Sequence, residues 1–180
     1  MLALASRVGE SDRLLRTASG ISREDFMGYE LTGKKLDIVG IGHIGTRVAH
    51  LAAAFDMTVQ ACDPYVDEAA IRARGAEPAS LEELLSGSDV ISLHCPRNQE
   101  TLGMFDGDAF QRMKRGALFI STARGGIHDE AALYAALEAG HLGGAGLDVW
   151  AVEPPALDHP LLTLSNVIAT YHTAGVTHVN

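Results

Sequence analysis

A glycine-rich segment near residue 40 contains the first residues whose spacing could do chemistry. Gly40, Gly42 and Gly45 form a Gly-x-Gly-x-x-Gly pattern between an apolar run and an amphipathic stretch. In a strand-turn-helix, the first glycine permits a tight turn, the second lets the backbone approach a pyrophosphate, and the third lets the helix pack closely on the strand. The free N–H groups at the helix start, from about His43 and Ile44, would bind the phosphate oxygens.

Asp63 is the acidic residue that such a motif requires further along the chain. It follows Gly45 by 18 residues and ends the next predicted strand. A carboxylate at this position accepts hydrogen bonds from the ribose hydroxyls of an adenine dinucleotide and would repel a 2′-phosphate. Because no arginine adjoins Asp63 in the sequence, NAD is favoured over NADP. The alternative is a chance acid after a strand-turn loop in an unrelated α/β protein.

Three later segments place polar residues where predicted strands end, and they contain Arg124, Glu153 and His172. Ligands of a doubly wound sheet bind outside the carboxyl ends of its strands, so these segments should gather around the dinucleotide. Each residue also has a simpler explanation. Arg124 could be a surface charge and Glu153 an ordinary loop acid, and one of eight histidines falls easily in a suitable loop. The segments are Ser121–Gly126, Gly146–Pro155 and Tyr171–Gly175.

Apolar runs alternate with amphipathic stretches from residue 36 onward, which predicts crossover connections and a parallel sheet. We therefore predict a single α/β domain of three layers, with a doubly wound, Rossmann-type sheet between helices. Residues 1–35 predict a short helix and an irregular arm, either a frayed terminus or an arm that packs on a partner subunit. The predicted strands are 36–40, 58–62, 90–93, 117–121, 145–149 and 166–170, and the predicted helices are 44–55, 67–74, 80–85, 106–113 and 129–140.

Composition and charge exclude several classes of protein. The 180 residues include 14 Lys and Arg against 23 Asp and Glu, a net charge of −9, which disfavours nucleic acid or an anionic membrane as a partner. No apolar run approaches the ~20 residues of a membrane span. The two cysteines, Cys62 and Cys95, have no metal-ligand spacing, so neither a metal nor a disulfide scaffold is expected. We expect a soluble, cytoplasmic protein.

Several ordered motifs together resemble one known family. The chain resembles the NAD-binding domain of the D-isomer-specific 2-hydroxyacid dehydrogenases, the family of D-3-phosphoglycerate and glyoxylate/hydroxypyruvate dehydrogenases, from about Glu30 to Gly175. The motifs that carry the resemblance are the glycine motif, Cys62-Asp63-Pro64-Tyr65, Leu93-His94-Cys95-Pro96, Glu100-Thr101, Thr122-Ala123-Arg124-Gly125-Gly126, His128-Asp129-Glu130, Leu147-Asp148-Val149, Glu153-Pro154 and the His172 loop.

The resemblance implies a role for each of these candidate residues. Arg124 would bind the carboxylate of a small 2-oxo acid and polarise its keto oxygen. His172 would be the general acid/base, and Glu153 would hydrogen-bond the far side of its imidazole. Asp148 would bind the nicotinamide carboxamide. The residues that would line NAD are Gly40, Gly42, His43, Ile44, Gly45, Asp63, Cys95, Thr122, Ala123, Arg124, Asp148, His172 and Gly175.

The sequence departs from the family pattern at several places. Asp37 lies inside the first predicted strand where the family has a small neutral residue, so it must be at a solvated strand end or have a partner. Tyr171 stands where the family usually has a proline before the histidine, and Arg97-Asn98-Gln99 stands in place of a common Leu-Thr-Pro. Members of the family also carry a substrate domain of roughly a hundred residues ahead of this one. We expect that domain to be absent from residues 1–180.

Two functions remain open from the sequence. The first is an oxidoreductase that transfers a hydride between NAD and a D-2-hydroxy acid. The second is an NAD(H)-binding module or sensor that turns nothing over, since corepressors of the same family keep the same three residues. The resemblance also implies a homodimer that forms through this domain.

Overall fold

The central strands consist of apolar residues buried on both faces, as a parallel sheet covered by helices requires. The computed structural model describes residues 1–177. The strands in this part of the chain are β1 (Lys35–Val39), β2 (Thr58–Cys62), β3 (Glu77–Pro78), β4 (Val90–Leu93), β5 (Leu118–Ser121), β6 (Gly144–Leu147) and β7 (Val167–Ala169). All pair in parallel, in the order β3-β2-β1-β4-β5-β6-β7. The predicted doubly wound α/β fold is thereby confirmed.

Helices connect the strands and cover both faces of the sheet. The helices of the described residues are α1 (Leu2–Ala5), α2 (Val8–Thr17), α3 (His43–Ala53), α4 (Glu68–Ala73), α5 (Leu81–Gly87), α6 (Gly107–Arg112), α7 (Glu130–Glu138) and α8 (Pro160–Thr163), with a 3₁₀ turn at Arg23–Phe26. Within residues 1–177, none is long and apolar enough to cross a bilayer.

Several helices begin at side chains that bind the free backbone N–H groups of the first turn. Ser80 and Glu83 form the predicted capping box of α5, and Asp106 and Asp129 cap α6 and α7 as expected. Asp67 caps α4 in the same way. These caps fix where each crossover helix starts, and therefore the geometry of the loops that precede the helices.

The sheet changes winding direction at β1, which pairs with both β2 and β4. Val39 is in register with Cys62 on one side and with Leu93 on the other. The three strands therefore end level, and the loops that follow them leave the same edge of the sheet. This edge is the topological switch point, where doubly wound folds bind their ligands.

Two apolar clusters, one on each face, hold the helices against the sheet. The first contains Phe105, Phe110 and Phe119, whose ring centroids lie 5.2 to 6.0 Å apart. Aromatic rings at these separations gain roughly 0.5–1.5 kcal/mol per pair beyond area burial. The cluster supports β5, the strand that leads into the Arg124 segment.

The structure differs from the sequence prediction mainly at the margins. The two-residue edge strand β3 and the one-turn helix α8 were not predicted, because neither contains an apolar run long enough to have a period. Residues 1–35 contain two helices and a 3₁₀ turn where one helix was expected.

Asp37 has a partner and does not lie at a solvated strand end. Its side chain is fully buried and accepts a hydrogen bond from the Ser88 hydroxyl, with Lys35 Nζ at 3.8 Å. Burial raises the pKa of Asp37 to about 6, although the bond from Ser88 and the charge of Lys35 oppose that rise.

Candidate functional site

The three glycines of the turn after β1 have different steric surroundings. Gly40 has φ +92°, and a Cβ there would lie 2.6 Å from the backbone N of Cys95. A Cβ at Gly45 would lie 2.2 Å from the carbonyl oxygen of Gly40. Real side chains would therefore push the turn, the helix and the end of β4 apart. Gly42 differs, because a Cβ there would meet nothing within 4 Å and would project into open space.

The N-terminus of α3 faces that open space. Gly42 is the N-cap and supplies no capping side chain. The first intrahelical bond runs from Thr46 N–H to Gly42 O at 2.9 Å, so the N–H groups of His43, Ile44 and Gly45 have no intrahelical partner. Free N–H groups at a glycine turn bind phosphate oxygens, and the bare backbone at Gly42 leaves room for them. These residues fit a dinucleotide pyrophosphate.

Asp63 lies beside this turn at the end of β2. Its carboxylate accepts hydrogen bonds from Ile41 N–H at 3.0 Å and Tyr65 N–H at 3.1 Å. An ionised carboxylate has about four acceptor positions, so others remain for ribose hydroxyls. Asp63 therefore also holds the glycine turn in place, which its position in the sequence did not indicate.

A groove runs along the strand ends from Asp63 to Arg124. One section of about 300 Å³ contains Gly42, Asp63 and Cys95, and another of about 580 Å³ contains Cys95, Thr122 and Arg124. A third section of about 340 Å³ lies beside Gly42 and His43. A separate cavity of about 400 Å³ lies at the opposite edge of the sheet, by the starts of β5, β6 and β7. The groove at the switch point therefore holds most of the candidate residues between the glycine turn and Arg124, and the separate cavity holds none of them. Asp148, Glu153, His172 and Gly175 do not line these sections of the groove.

His94 and Cys95 line both the 300 Å³ section and the 580 Å³ section and form the wall between them. His94 Nε2 lies 2.9 Å from the Ser92 hydroxyl, and burial lowers the pKa of His94 to about 4. Burial raises the pKa of the Cys95 thiol to about 11. Both side chains are therefore uncharged near neutral pH, and this part of the groove suits the uncharged portions of a ligand.

His172 and Glu153 lie together in the loops that follow the carboxyl ends of β7 and β6. His172 Nδ1 is 2.9 Å from Glu153 Oε2, and Glu153 Oε1 accepts the Trp150 N–H at 3.1 Å. The bond from His172 is the main cause that lowers the pKa of Glu153. This contact leaves Nε2 of His172 as the nitrogen that is free to exchange a proton with a ligand.

Asp148 anchors the loop that carries His172. Its carboxylate accepts the N–H groups of Thr173 and Ala174 at 2.8 and 2.9 Å and the Thr170 hydroxyl at 2.5 Å. Burial acts to raise the pKa of Asp148, but these hydrogen bonds outweigh it and hold the pKa below its ordinary value. The indole N–H of Trp150 also donates to Thr170 O at 3.0 Å.

The backbone of His172 is in the left-handed region, with φ +56°. Residues other than glycine adopt this conformation infrequently, so surrounding contacts must impose it. The bonds from the next two N–H groups to Asp148 supply them. The sequence contained no signal for this anchoring role of Asp148, Thr170 and Trp150.

Arg124 projects from a segment that packs directly against the loop of Glu153. A Cβ on Gly125 would lie 1.8 Å from the Trp150 carbonyl oxygen, so glycine is what allows the two loops to touch. Arg124 is exposed, and Nη1 donates to Ala123 O at 2.7 Å. Thr122 and Ala123 line the groove beside it, and Gly175 lies exposed after the His172 loop.

The remaining histidines are outside this arrangement. His50 is exposed, while His141 bonds the Met113 carbonyl and His159 bonds Glu130. His128 is buried against Phe119. His178, interpreted from the sequence as a surface or structural residue, lies outside the described residues.

Comparison with known proteins gives consistent results. Residues 1–174 match the family described as D-isomer specific 2-hydroxyacid dehydrogenase, NAD binding domain. The D-3-phosphoglycerate dehydrogenase of Archaeoglobus fulgidus is 42% identical over 177 residues, which are 98% of this chain and 33% of that protein. The glyoxylate reductase of Korarchaeum cryptofilum is 41% identical over 181 residues, covering 99% of this chain and 54% of that protein.

A solved structure extends the likeness to three dimensions. D-lactate dehydrogenase from Aquifex aeolicus, complexed with NAD and lactic acid, matches with a TM-score of 0.87 and 34% identity over 98% of this chain and 57% of that one. The chain thus spans about a third to just over half of the length of these relatives. The fold, the NAD-type turn and the comparisons agree, and the chain belongs to the D-isomer specific 2-hydroxyacid dehydrogenase family, whose NAD-binding domain it matches.

Proposed function

We propose that the chain is the cofactor-binding part of an oxidoreductase that interconverts a D-2-hydroxy acid and the corresponding 2-oxo acid. The observation that carries the proposal is the His172–Glu153 pair. Asp148 holds the loop of His172, and this loop follows a strand at the same edge of the sheet as the glycine turn. NAD, when bound, supplies the hydride acceptor or donor. The D-3-phosphoglycerate dehydrogenase and the glyoxylate reductase to which the chain is similar support this class of reaction.

His172 is the proposed general acid/base. In the oxidative direction, its Nε2 takes the hydroxyl proton of the substrate as the hydride leaves, and it returns a proton in the reverse direction. Glu153 accepts a hydrogen bond from Nδ1–H at the far side of the ring, which fixes the tautomer and stabilises the imidazolium. The protein thus holds one proton at a defined atom while charge changes on the substrate.

Arg124 is the proposed substrate-binding residue. A guanidinium offers parallel N–H donors that match a carboxylate, and in a 2-oxo acid one of them can also polarise the keto oxygen. Nη1 is occupied by Ala123 O, which leaves the other N–H groups for a ligand. Asp148 is proposed to bind the nicotinamide carboxamide with acceptor positions that its loop contacts do not use.

Cofactor binding can be tested on the 180-residue chain directly. We expect NADH fluorescence titration to give saturable binding, and NADPH to bind more weakly because Asp63 would repel its 2′-phosphate. Equal affinity for the two cofactors would remove Asp63 from the assignment of preference. Absence of NADH binding would contradict the proposed function itself.

Turnover is tested on the full-length protein with hydroxypyruvate or glyoxylate and NADH. A general acid/base typically contributes about 10²–10⁴-fold, so His172→Ala is expected to lower kcat by at least about 100-fold while NADH affinity stays unchanged. His50→Ala, which removes an exposed histidine on α3, is the matched control. Undiminished kcat in the His172 variant would exclude the mechanism.

We also propose that the protein is a cytoplasmic homodimer whose α1–α2 arm packs on the partner subunit. Support comes from α2, an amphipathic helix with no fully buried residue and with Leu15 84% exposed. Cys62 and Cys95 are free thiols, which is typical of a reducing compartment. Light scattering of the purified protein measures the oligomeric state.

A further inference from the structure

Arg74 lies at the glycine turn, although it comes eleven residues after Asp63 in the sequence. It caps the C-terminus of α4, and Nη1 donates to the carbonyl oxygen of Ile41 at 2.7 Å. The backbone N–H of Ile41 donates to the Asp63 carboxylate at 3.0 Å. A cation and an anion therefore hold opposite sides of one residue, midway between Gly40 and Gly42.

Arg74 also lines a pocket beside the glycine turn. The 340 Å³ pocket is lined by Gly42, His43, Thr46 and Arg74, and no acidic side chain lines it. Gly42 is shared with the 300 Å³ section that contains Asp63. The pocket therefore adjoins the site proposed for the dinucleotide and adds a fixed positive charge to it.

Arg72 provides a contrast on the same helix. It forms ion pairs with Glu68 at 3.1 Å and with Glu77 at 3.2 Å, so acidic neighbours compensate its charge. Arg74 makes no ion pair with another of the described residues, and its side chain donates a hydrogen bond to the Ile41 carbonyl. Nη1 is occupied in that bond, and the remaining N–H donors of the fork are available to an anion.

We propose that Arg74 binds a phosphate of the dinucleotide, as a charged contact that the Gly-x-Gly-x-x-Gly motif does not include. The inference rests on the proposed function, because it takes the glycine turn as the cofactor site. The pyrophosphate is the favoured phosphate, since the carboxylate of Asp63 disfavours a 2′-phosphate nearby. A guanidinium gives charge-assisted, bidentate hydrogen bonds to phosphate, and losing one to a charged group weakens binding by about tenfold.

The test is a binding experiment on the 180-residue chain with Arg74→Gln, Arg74→Lys and the control Arg72→Gln. Glutamine keeps an amide donor for the Ile41 carbonyl but removes the charge, while lysine keeps the charge. The ligands are ADP, NADH, NADPH and adenosine, with dissociation constants measured by calorimetry or fluorescence. We expect Arg74→Gln to bind ADP and NADH about tenfold more weakly, with adenosine unchanged, less salt dependence and most of the loss restored by lysine. Arg72→Gln should bind all four ligands as the unaltered chain does.

The ligands distinguish the possible results. A loss for ADP and NADH assigns Arg74 to the pyrophosphate, whereas a loss for NADPH alone supports phosphate binding at the 2′ position. An equal loss for adenosine would mean that Arg74 only shapes the turn, and no loss for any phosphate ligand would mean that it does not bind one; either result overturns the inference. Failure of the unaltered chain to bind NADH would instead overturn the proposed function.

Discussion

At the scale of single residues, hydrogen bonds to backbone position the candidate side chains. Asp63 and Asp148 are both expected to bind cofactor, yet each also accepts two backbone N–H groups that hold a neighbouring loop. Asp148 is the more demanding case, because the loop it holds contains a left-handed residue, His172. One carboxylate therefore fixes the direction of the proposed acid/base.

Replacing Asp148 by asparagine should reduce turnover without unfolding the protein. Asparagine keeps the size of the side chain but replaces one acceptor oxygen with an NH₂ group, so it cannot accept all three hydrogen bonds. We expect kcat of the full-length enzyme to fall roughly tenfold or more, because small displacements of a reacting group are costly. Asp158→Asn, at an exposed loop position, is the control. A kcat equal in the two variants would show that Asp148 does not position the loop.

His94 should make the stability of the protein depend on pH. Its folded pKa of about 4 lies below the unfolded value of about 6.5, so between these pH values the unfolded chain binds a proton that the folded chain does not. The free energy of unfolding should therefore fall as pH decreases from 6.5 towards 4, by on the order of 3 kcal/mol.

The contribution of His94 is obtained as the difference between the pH–stability curves of the unaltered chain and of His94→Asn. The difference is needed because Asp37 also makes stability depend on pH. Its folded pKa of about 6 lies above the unfolded value of 3.8, so the stability that it contributes is lost as pH rises from 3.8 to 6. This change with pH is opposite in sign to that of His94. Chemical denaturation at several pH values gives both curves. Parallel curves would contradict the assignment, and His50→Asn serves as the control at an exposed site.

At the scale of elements, two glycines at the junction of β1 and α3 are small for different reasons, one for packing and the other for ligand access. Gly45 must be small because the helix lies against the Gly40 carbonyl, whereas Gly42 is bounded by open space. Gly42 also has an ordinary negative φ of −70°. Folding therefore requires Gly45 to lack a side chain, and ligand access requires the same of Gly42.

Alanine at these two positions should give opposite results. Gly42→Ala is expected to leave the free energy of unfolding within about 0.5 kcal/mol of the original and to weaken NADH binding, because the new methyl group fills the space next to the free N–H groups. Gly45→Ala should cost several kcal/mol by overpacking against backbone. Thermal unfolding and NADH titration of both variants measure the two effects. Unaltered NADH affinity in Gly42→Ala would argue against a phosphate at this turn.

At the scale of the whole molecule, α2 has little internal support, whereas α1 is held by the buried side chains of Leu4 and Ala5. The helix α2 has no buried residue, and Leu15 is almost fully exposed. An amphipathic helix usually buries its apolar face, and here the described residues do not cover it. A partner subunit is the occupant we propose for it.

Leu15→Asp should therefore weaken the dimer and leave the monomer folded. A charge placed in an apolar interface is costly, whereas the same charge on a solvated helix is not. Sedimentation or light scattering over a range of concentrations should give a lower mass for the variant, with unaltered helical content. Leu157→Asp, at a leucine that is 94% exposed in the loop before α8, should not change the mass. Identical masses for both variants would exclude α2 from the interface.

The sequence predicted most of the fold because each central element has its own local signal. The apolar runs at 58–62 and 90–93 and the caps Ser80, Asp106 and Asp129 lie where expected. By contrast, β3 is strand only because β2 lies beside it, so no local pattern could reveal it.

The site was less predictable than the fold because its contacts are long-range. No arginine adjoins Asp63 in the sequence, yet the α4 crossover brings Arg74 to the same turn. The bonds that fix the His172 loop come from Asp148, 24 residues earlier, and their geometry depends on how β6 and β7 align. The motifs predicted candidate residues, and the family resemblance implied the contact between Glu153 and His172. Neither indicated that Asp148 holds the His172 loop or that Asp63 holds the glycine turn.

The double attachment of Ile41 constrains any redesign of cofactor choice. Exchanging Asp63 for a small neutral residue, as one would do to admit NADPH, also removes the acceptor of the Ile41 N–H. The turn would then be held from the Arg74 side alone, and the engineered enzyme would begin with poorer affinity for both cofactors. Such a design therefore needs a second change that restores an acceptor for this N–H. Asparagine at position 63 is a simpler starting point, because its carbonyl oxygen keeps the hydrogen bond while the negative charge is lost.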